Sequence, residues 1–259
     1  MFVIGDIHGC YLGLKQCLER SGFDYDNDML ISLGDICDGW EHVYEVVEEL
    51  LKIRYLCLIK GNHDSPFLEY MTTGIHPWKW SQGGYGTAKS YLRQIGKEDM
   101  ITPTSPNGAY ITPLNPGDIP ESHRQFFNSQ IAYFIDDQNR LFTHGGFNRH
   151  FSIKEQPGYI FEWDRDLWLS ALSFNSMNRS IAKKAKFKIK DNFSEVFIGH
   201  TSTIQWGDLK PMKCANIWNL DQGAGWYGKL TIMNVDTHEY WQSDIVTQLY
   251  PDEIGRKRR

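Results

Sequence analysis

Five short apolar runs in this 259-residue chain each stop at a glycine-containing turn that carries Asp, His or Asn. Met1–Ile4 leads to Gly5-Asp6-Ile7-His8-Gly9, Met29–Leu33 to Gly34-Asp35-Ile36-Cys37-Asp38, and Tyr55–Ile59 to Gly61-Asn62-His63-Asp64. Arg140–Thr143 leads to His144-Gly145-Gly146, and Val196–Ile198 to Gly199-His200-Thr201. Between the first three runs lie two stretches with helical spacing. Tyr11–Arg20 carries Leu12, Leu14, Cys17 and Leu18; Glu41–Ile53 carries Val43, Val46, Val47, Leu50 and Leu51 on one face. This β-α-β-α-β order predicts an α/β fold that starts with parallel strands and right-handed crossovers. The polar turns then gather beyond the carboxyl ends of the strands, where such sheets bind ligands.

The middle of the chain is less regular. Over residues 65–130 Gly, Pro, Thr and Asn are frequent, as in Thr102–Gly108, and helices are expected only at Thr87–Ile95 and Ser122–Phe127. This stretch reads as a loop- and helix-rich insertion over one edge of the sheet. Strands resume at Ile131–Ile135, a helix is expected at Asn178–Lys186, and closely spaced apolar runs near the C-terminus predict antiparallel pairing. One catalytic domain over 1–250 is expected, with a basic tail over 251–259 whose Arg256-Lys257-Arg258-Arg259 reads as a frayed, solvated end.

Composition excludes several classes. A length of 259 with 41% hydrophobic residues supports a substantial core. A net charge of -5 gives no field that favours nucleic acid. No run is long enough to cross a bilayer, and Met1 leads directly into a strand-like segment, so neither a membrane partner nor a signal peptide is expected. The five cysteines are scattered, odd in number and without a CxxC pair. They predict reduced thiols in a cytoplasmic protein, with neither a disulfide framework nor a thiolate zinc site.

Taken one at a time, an Asp or His after a strand is usually a helix cap or a satisfied polar group. Five such turns together point to a metal centre. Asp6, His8, Asp35, Asn62, His144 and His200 offer oxygen and nitrogen and no thiolate, which suits manganese first, with iron or zinc as alternatives. Asp6 and His8 are two apart in an extended turn and can face one ion together. Six ligands exceed the needs of one tetrahedral ion and suit two divalent ions sharing a carboxylate, for which Asp35 is the candidate. Such ions about 3.5–4 Å apart clamp attacking and leaving oxygens in phosphoryl transfer.

The five motifs, in this order and covering residues 2 to about 235, resemble those of calcineurin-like metallophosphoesterases, in particular the bacterial and phage phosphoprotein phosphatases of the bacteriophage lambda type. The resemblance implies a two-sheet β-sandwich flanked by helices (α/β/β/α). It implies that Asp6 and His8 bind one metal, that Asp35 bridges, and that Asn62, His144 and His200 bind the second. It also implies attack by a metal-bridging hydroxide and no covalent phosphoenzyme. His63 would protonate the leaving oxygen, supported by Asp38 or Asp64; physical logic agrees, since alkoxide is a poor leaving group at neutral pH. A neighbouring carboxylate would keep that imidazole protonated. Arg165, after Trp163, resembles a phosphate-holding arginine, and with Asn62 is the expected substrate contact; without the resemblance, an ion pair with Asp164 or Asp166 would serve as well. Asp221-Gln222-Gly223-Ala224-Gly225 resembles a late structural turn near the site, and Gly83-Gly84 a paired glycine of the phage-type enzymes.

One position departs from the pattern. The second motif of the family usually ends Asp-Arg-Gly, its Arg a further phosphate clamp; here the sequence is Asp38-Gly39-Trp40. A different residue could supply the charge, and the run Lys183–Lys190 is a candidate, although such runs are more often solvated. The aromatic segment His76–Gly84 could line the cleft or pack in the core. The function expected is hydrolysis of phosphomonoesters, on a phosphorylated protein (serine/threonine type) or a small phosphoester. The alternatives are a phosphodiesterase or a nucleotide or polynucleotide phosphatase, and a metal-binding interaction module without turnover.

Overall fold

The computed structural model describes residues 1–104, 109–177 and 186–256. The chain opens with the expected alternation. Phe2–Ile4 (β1), Met29–Ser32 (β2) and Tyr55–Leu58 (β3) pair in parallel, with Ile4 opposite Ser32 and Ser32 opposite Leu58. Their carboxyl ends are therefore flush, and the three turns that follow emerge side by side. The crossovers are Tyr11–Ser21 (α1), which buries Leu14, Cys17 and Leu18, and Val43–Leu50 (α2), which buries Val43, Val46, Val47 and Leu50. Each such side chain contributes about 1.5–3 kcal/mol when fully buried. Helix α1 stops at Gly22, whose φ of 65° lets its N–H cap Glu19 and Leu18 carbonyls.

The insertion folds as Asp64–Thr73 (α3), Gly84–Gln94 (α4), a short pairing of Thr102–Pro103 (β4) with Tyr110–Ile111 (β5), and Glu121–Asn128 (α5). Helices α4 and α5 match the expected positions within a few residues. Helix α3 forms where the sequence pattern predicts no helix. Its anchors Pro66, Phe67, Tyr70 and Met71 are interleaved with Thr and Glu, so it shows no clean apolar stripe until neighbours cover it. Phe67, Tyr91, Phe126 and Phe127 share one core with the buried face of α2, so the insertion sits on the helical side of the first sheet. Residues 105–108 of the Pro- and Asn-rich tract lie outside the described residues.

A second sheet forms from Tyr133–Ile135 (β6), Leu141–Thr143 (β7), Val196–Ile198 (β8), Met212–Cys214 (β9) and Ile217–Asn219 (β10), in the order β6-β7-β8-β10-β9. Thr231–Asn234 (β11) and Tyr240–Gln242 (β12) return to the first sheet, giving β12-β11-β1-β2-β3. The late strands pair antiparallel at β9–β10 and β11–β12, as expected, but β10 runs parallel to β8. Tyr159–Trp163 (α6) and Asp166–Ser176 (α7) cover the second sheet, and Val246–Leu249 (α8) comes near the end. The helix expected at 178–186 falls almost wholly outside the described residues.

Three apolar layers separate these elements. Val3, Ile31, Leu33 and Ile59 face Phe142, Phe197 and Leu220 between the sheets, and the Phe142 and Phe197 rings stack at 4.9 Å. Phe2 and Ile4 point the other way, into the layer under α1 and α2, as the period of two along a strand requires. Leu141, Val196 and Ile217 face Phe161, Leu167 and Trp168 of α6 and α7. The result is the α/β/β/α sandwich. No helix among the described residues is long and apolar enough to cross a membrane, and all five cysteines are free thiols.

Candidate active site

The flush strand ends gather the polar turns. Asp6, His8, Asp35, Asp38, Asn62, His63, Asp64, His144 and His200 are all buried there, at the rim where the two sheets meet. The turns are laced to one another by backbone bonds: Ile7 and His8 N–H to the Asp35 carbonyl, Gly9 N–H to Ile36, and Trp40 N–H to His8. His8, Asp35, Asp38 and His200 adopt left-handed φ values of 50°, 49°, 67° and 64°. For residues with a Cβ this costs about 1–2 kcal/mol each, so the surrounding bonds hold the ligand side chains in places a relaxed chain would not give them.

Two groups of candidate ligand atoms form, Asp6 with His8 and Asp35, and Asp35 with His144 and His200, each within 4.8 Å of one another. Asp35 belongs to both. Asn62 Oδ1 adjoins the second group, 3.0 Å from His144 Nε2. His8 Nδ1 bonds the Cys37 carbonyl at 2.9 Å and His144 Nδ1 the Leu33 carbonyl at 2.8 Å, which turns both Nε2 atoms inward. The His144 bond also ties the second sheet to the first. His200 Nε2 is buried without a hydrogen-bond partner among the described residues.

The charges fit a cation. Burial, then Asp221, pushes Asp6 well above the usual carboxylate range. Burial opposes the charged form of His144, but Asp35 and then Asp6 outweigh it and raise the imidazole to about 10. Protons thus collect where positive charge is wanted. An all-oxygen-and-nitrogen set with a shared carboxylate and an orphaned imidazole suits a pair of hard-to-borderline divalent ions.

His63 stands beside these groups. Its backbone N–H donates to Asp35 Oδ1 at 2.9 Å, and its Nδ1 lies 2.9 Å from Asp38 Oδ2, so Nε2 faces into the site. Asp38 Oδ1 accepts from Trp80 Nε1 at 3.0 Å and Thr87 Oγ1 at 2.9 Å, and Thr87 Oγ1 also accepts from the Asp38 N–H. Within the aromatic segment Trp80 packs in the core, its ring against Phe67 and Tyr70, while its N–H orients a site carboxylate. Thr87 carried no sequence signal.

Of the two carboxylates considered as partner of His63, geometry selects Asp38. Asp64 accepts from Ile36 and Cys37 N–H through Oδ1, and from Gly61 N–H and Gln130 Nε2 through Oδ2. It braces the second turn against the third and does not reach the His63 ring. Nor is His63 kept protonated in this state. Burial and the Arg256 guanidinium press it down to about 3, and burial pushes Asp38 up to about 8.

Two arginines approach. Arg165, at the rim, donates from Nη1 to the His200 carbonyl at 2.9 Å and to Thr201 Oγ1 at 3.1 Å. It forms no ion pair with Asp164 or Asp166 among the described residues; Asp164 instead accepts from Leu167 N–H at the start of α7. Arg256 is the residue that the sequence reading missed. The expectation of a frayed end does not hold there: its N–H donates to the Gly225 carbonyl at 2.9 Å, its guanidinium lies over Trp226 at 4.8 Å, and Nη1 and Nη2 lie 3.1 Å from His8 Nε2 and 2.7 Å from His63 Nε2. Residues 257–259 lie outside the described residues. Charge and position at a chain end say nothing of such docking. The basic run is elsewhere: residues 183–185 are outside the described residues, and Lys186, Lys188 and Lys190 line a groove with Arg149, His150 and Asn192 that includes no candidate ligand. The turn at Asp221–Gly225 abuts the site, with Gly225 so close that a Cβ would lie 2.5 Å from His8 Cδ2.

Comparison with known proteins is consistent with this geometry. Residues 1–203 match the family model described as calcineurin-like phosphoesterase. The chain is 23% identical over 236 residues to serine/threonine-protein phosphatase 1 of Salmonella typhimurium, covering 91% of each chain. It is 24% identical over 249 residues to the asymmetrical bis(5'-nucleosyl)-tetraphosphatase PrpE of Bacillus cereus, covering 88% of this chain and 87% of the relative. Among solved structures, a provisionally assigned diadenosine tetraphosphatase superposes with a TM-score of 0.59 at 14% identity, covering 93% of this chain and 91% of the other, which shows a shared fold.

Proposed function

The chain belongs to the calcineurin-like phosphoesterase family and is a metal-dependent phosphoester hydrolase, and from that premise we propose that it cleaves phosphomonoesters, of the phosphoserine and phosphothreonine type and small aryl phosphates. The observation that carries the reading is the His63–Asp38 pair: with Nδ1 turned to Asp38, Nε2 faces the space beside the two candidate ligand groups that share Asp35, where Arg256 Nη2 lies 2.7 Å from it. That is the position from which a proton can reach a departing alkoxide.

Asp6, His8 and Asp35 would hold one divalent ion, and Asp35, Asn62, His144 and His200 the second, with manganese the first choice. When bound, the ions supply Lewis acidity that lowers the pKa of water and offsets phosphate charge. The chain's own residues do the rest. Arg165 and Asn62 would hold phosphoryl oxygens, the guanidinium in bidentate fashion. His63 would donate from Nε2 to the ester oxygen as its bond to phosphorus breaks. Asp38 would stabilise the imidazolium that gives up this proton, and Trp80 and Thr87 would keep Asp38 from turning away. Neither half of the proton donor nor either ligand group is missing, which leaves the binding module without turnover unsupported.

A second reading is hydrolysis of dinucleoside polyphosphates, favoured by the likeness to the PrpE relative over most of the chain. Manganese-loaded protein assayed on a phosphothreonine peptide, an aryl phosphate, a bis-aryl phosphodiester and a dinucleoside tetraphosphate separates the two. Higher kcat/KM on the monoesters is expected; preference for the tetraphosphate would replace the first reading with the second.

A further inference from the structure

We infer that Arg256 is a substrate-binding residue, delivered from the C-terminal segment to grip the phosphoryl group across the site from Arg165. This deepens the phosphoester-hydrolase reading and rests on it.

The segment that carries Arg256 is fixed before any ligand arrives. The Tyr250 ring stacks on Trp40 at 4.9 Å, and its hydroxyl accepts from Leu12 N–H at 2.7 Å. Glu253 bonds His42 Nε2 and the Glu41 N–H, each at 2.9 Å. The Arg256 N–H closes on Gly225. A side chain so delivered loses little further freedom on binding, which favours affinity.

The stem of Arg256 uses space that two glycines leave. A Cβ on Gly39 would lie 3.4 Å from Arg256 Cγ, and one on Gly225 would lie 2.8 Å from Arg256 Cδ. Gly39 also has φ +153°, and its Cβ would meet the His8 carbonyl at 2.7 Å. Position 39 therefore cannot hold an arginine of its own without strain, and a side chain from there would start out in contact with the Arg256 stem.

The guanidinium lacks an anion. Nη1 and Nη2 face ring nitrogens, Nε is buried without a partner, and no carboxylate among the described residues forms an ion pair with it. A second guanidinium, Arg165, stands near enough to Asp221, Asp6, Asp35 and Arg256 for their charges to act on it. Two arginines converging with no direct ion pair among the described residues can both grip a multiply charged anion, and the planar fork of donors matches phosphate oxygens. His8 Nε2 has one lone pair, so it serves Arg256 or a cation; once it serves a cation, Nη1 is released toward a phosphoryl oxygen next to His63.

The test uses the full chain loaded with manganese, as wild type, Arg256→Ala, Arg256→Gln and Arg256→Lys. Inorganic phosphate is titrated by calorimetry, manganese affinity is measured alongside, and KM and kcat are taken on an aryl phosphate. Removing the charge in Ala or Gln is expected to weaken phosphate binding roughly tenfold or more, to raise KM more than it lowers kcat, and to be partly rescued by Lys. The Gln variant keeps most of the stem and serves if the Ala variant does not fold. Unchanged phosphate affinity in Gln overturns the proposal. So does tighter phosphate or manganese binding, which would make Arg256 a plug, and so does wild-type protein that binds no phosphate. Loss of phosphate affinity in the variants of a protein that hydrolyses none of the esters upholds Arg256 and sinks the hydrolase substrate reading instead.

Discussion

Asp38 Oδ2 lies 2.9 Å from His63 Nδ1, while its other oxygen is held by Trp80 and Thr87. The carboxylate is therefore fixed on both sides, and the imidazole can present only Nε2 to the site. A proton donor of this kind matters most when the leaving group is poor.

His63→Asn is accordingly expected to lower kcat by about 10²–10⁴-fold, and by more on a phosphoserine peptide than on a nitrophenyl phosphate, whose leaving group needs no proton. Asp38→Asn should follow the same leaving-group pattern with a smaller loss. Steady-state kinetics on both substrates checks this; equal losses on the two would remove His63 from the role of acid.

Asp35 lies in both ligand groups, whereas Asp6 and His200 lie in one each. Asp35→Asn should reduce the bound manganese below one ion per chain at concentrations that give wild type two, while His200→Ala should leave about one. Metal content by mass spectrometry reads this directly. Chelator-treated wild type should lose its activity and recover it with manganese; full activity after verified metal removal would overturn the metal mechanism.

Asp64 accepts four N–H groups from the second turn, the third turn and Gln130. Asp64→Ala leaves those donors buried and unsatisfied, and should destabilise the protein by about 3 kcal/mol or more. Urea unfolding measures the loss. A variant with wild-type stability and lowered kcat would instead return Asp64 to a direct part in the chemistry.

Glu49 is buried against Lys15, Lys52 and Tyr25. Burial would raise its pKa, but the bonds from Lys15, Lys52 and Tyr25 outweigh it and hold the carboxyl down to about 2, against an ordinary 4.5. A depressed carboxylate stabilises the fold fully above its ordinary pKa, and that stability is lost as pH falls. Stability should therefore drop between pH 4.5 and 2, and Glu49→Gln should flatten that part of the profile. Urea midpoints taken across this range for both proteins decide it; parallel curves would mean that Glu49 contributes nothing to acid sensitivity.

The candidate ligand residues are legible because their signal is local. Asp6, Asp35, Asn62, His144 and His200 each sit beside a glycine at the end of an apolar run, and a strand that ends at a turn places its next residues at one edge of a sheet. The two-layer sandwich was not legible in the same way. Phe2 and Val3 look alike in sequence, yet one packs under helices and the other between sheets. Helix α3 was hidden because its apolar residues form no stripe, and only the insertion's other helices give it a partner.

What the sequence determined alone was chemistry carried within a turn: which oxygen and nitrogen donors follow which strand, and that an imidazole sits next to an amide. What the tertiary structure decided was every pairing between distant segments. Asp38 rather than Asp64 meets His63, Thr87 and Trp80 from the insertion hold Asp38, and Arg256 arrives 193 positions after His63 to stand against it. The physical reason is that a strand-end turn is specified by neighbours along the chain, through its glycines and the sheet's edge. A contact between chain ends is specified by packing, here by Tyr250 on Trp40 and by the space that Gly39 and Gly225 leave, and neither is visible until the chain has folded.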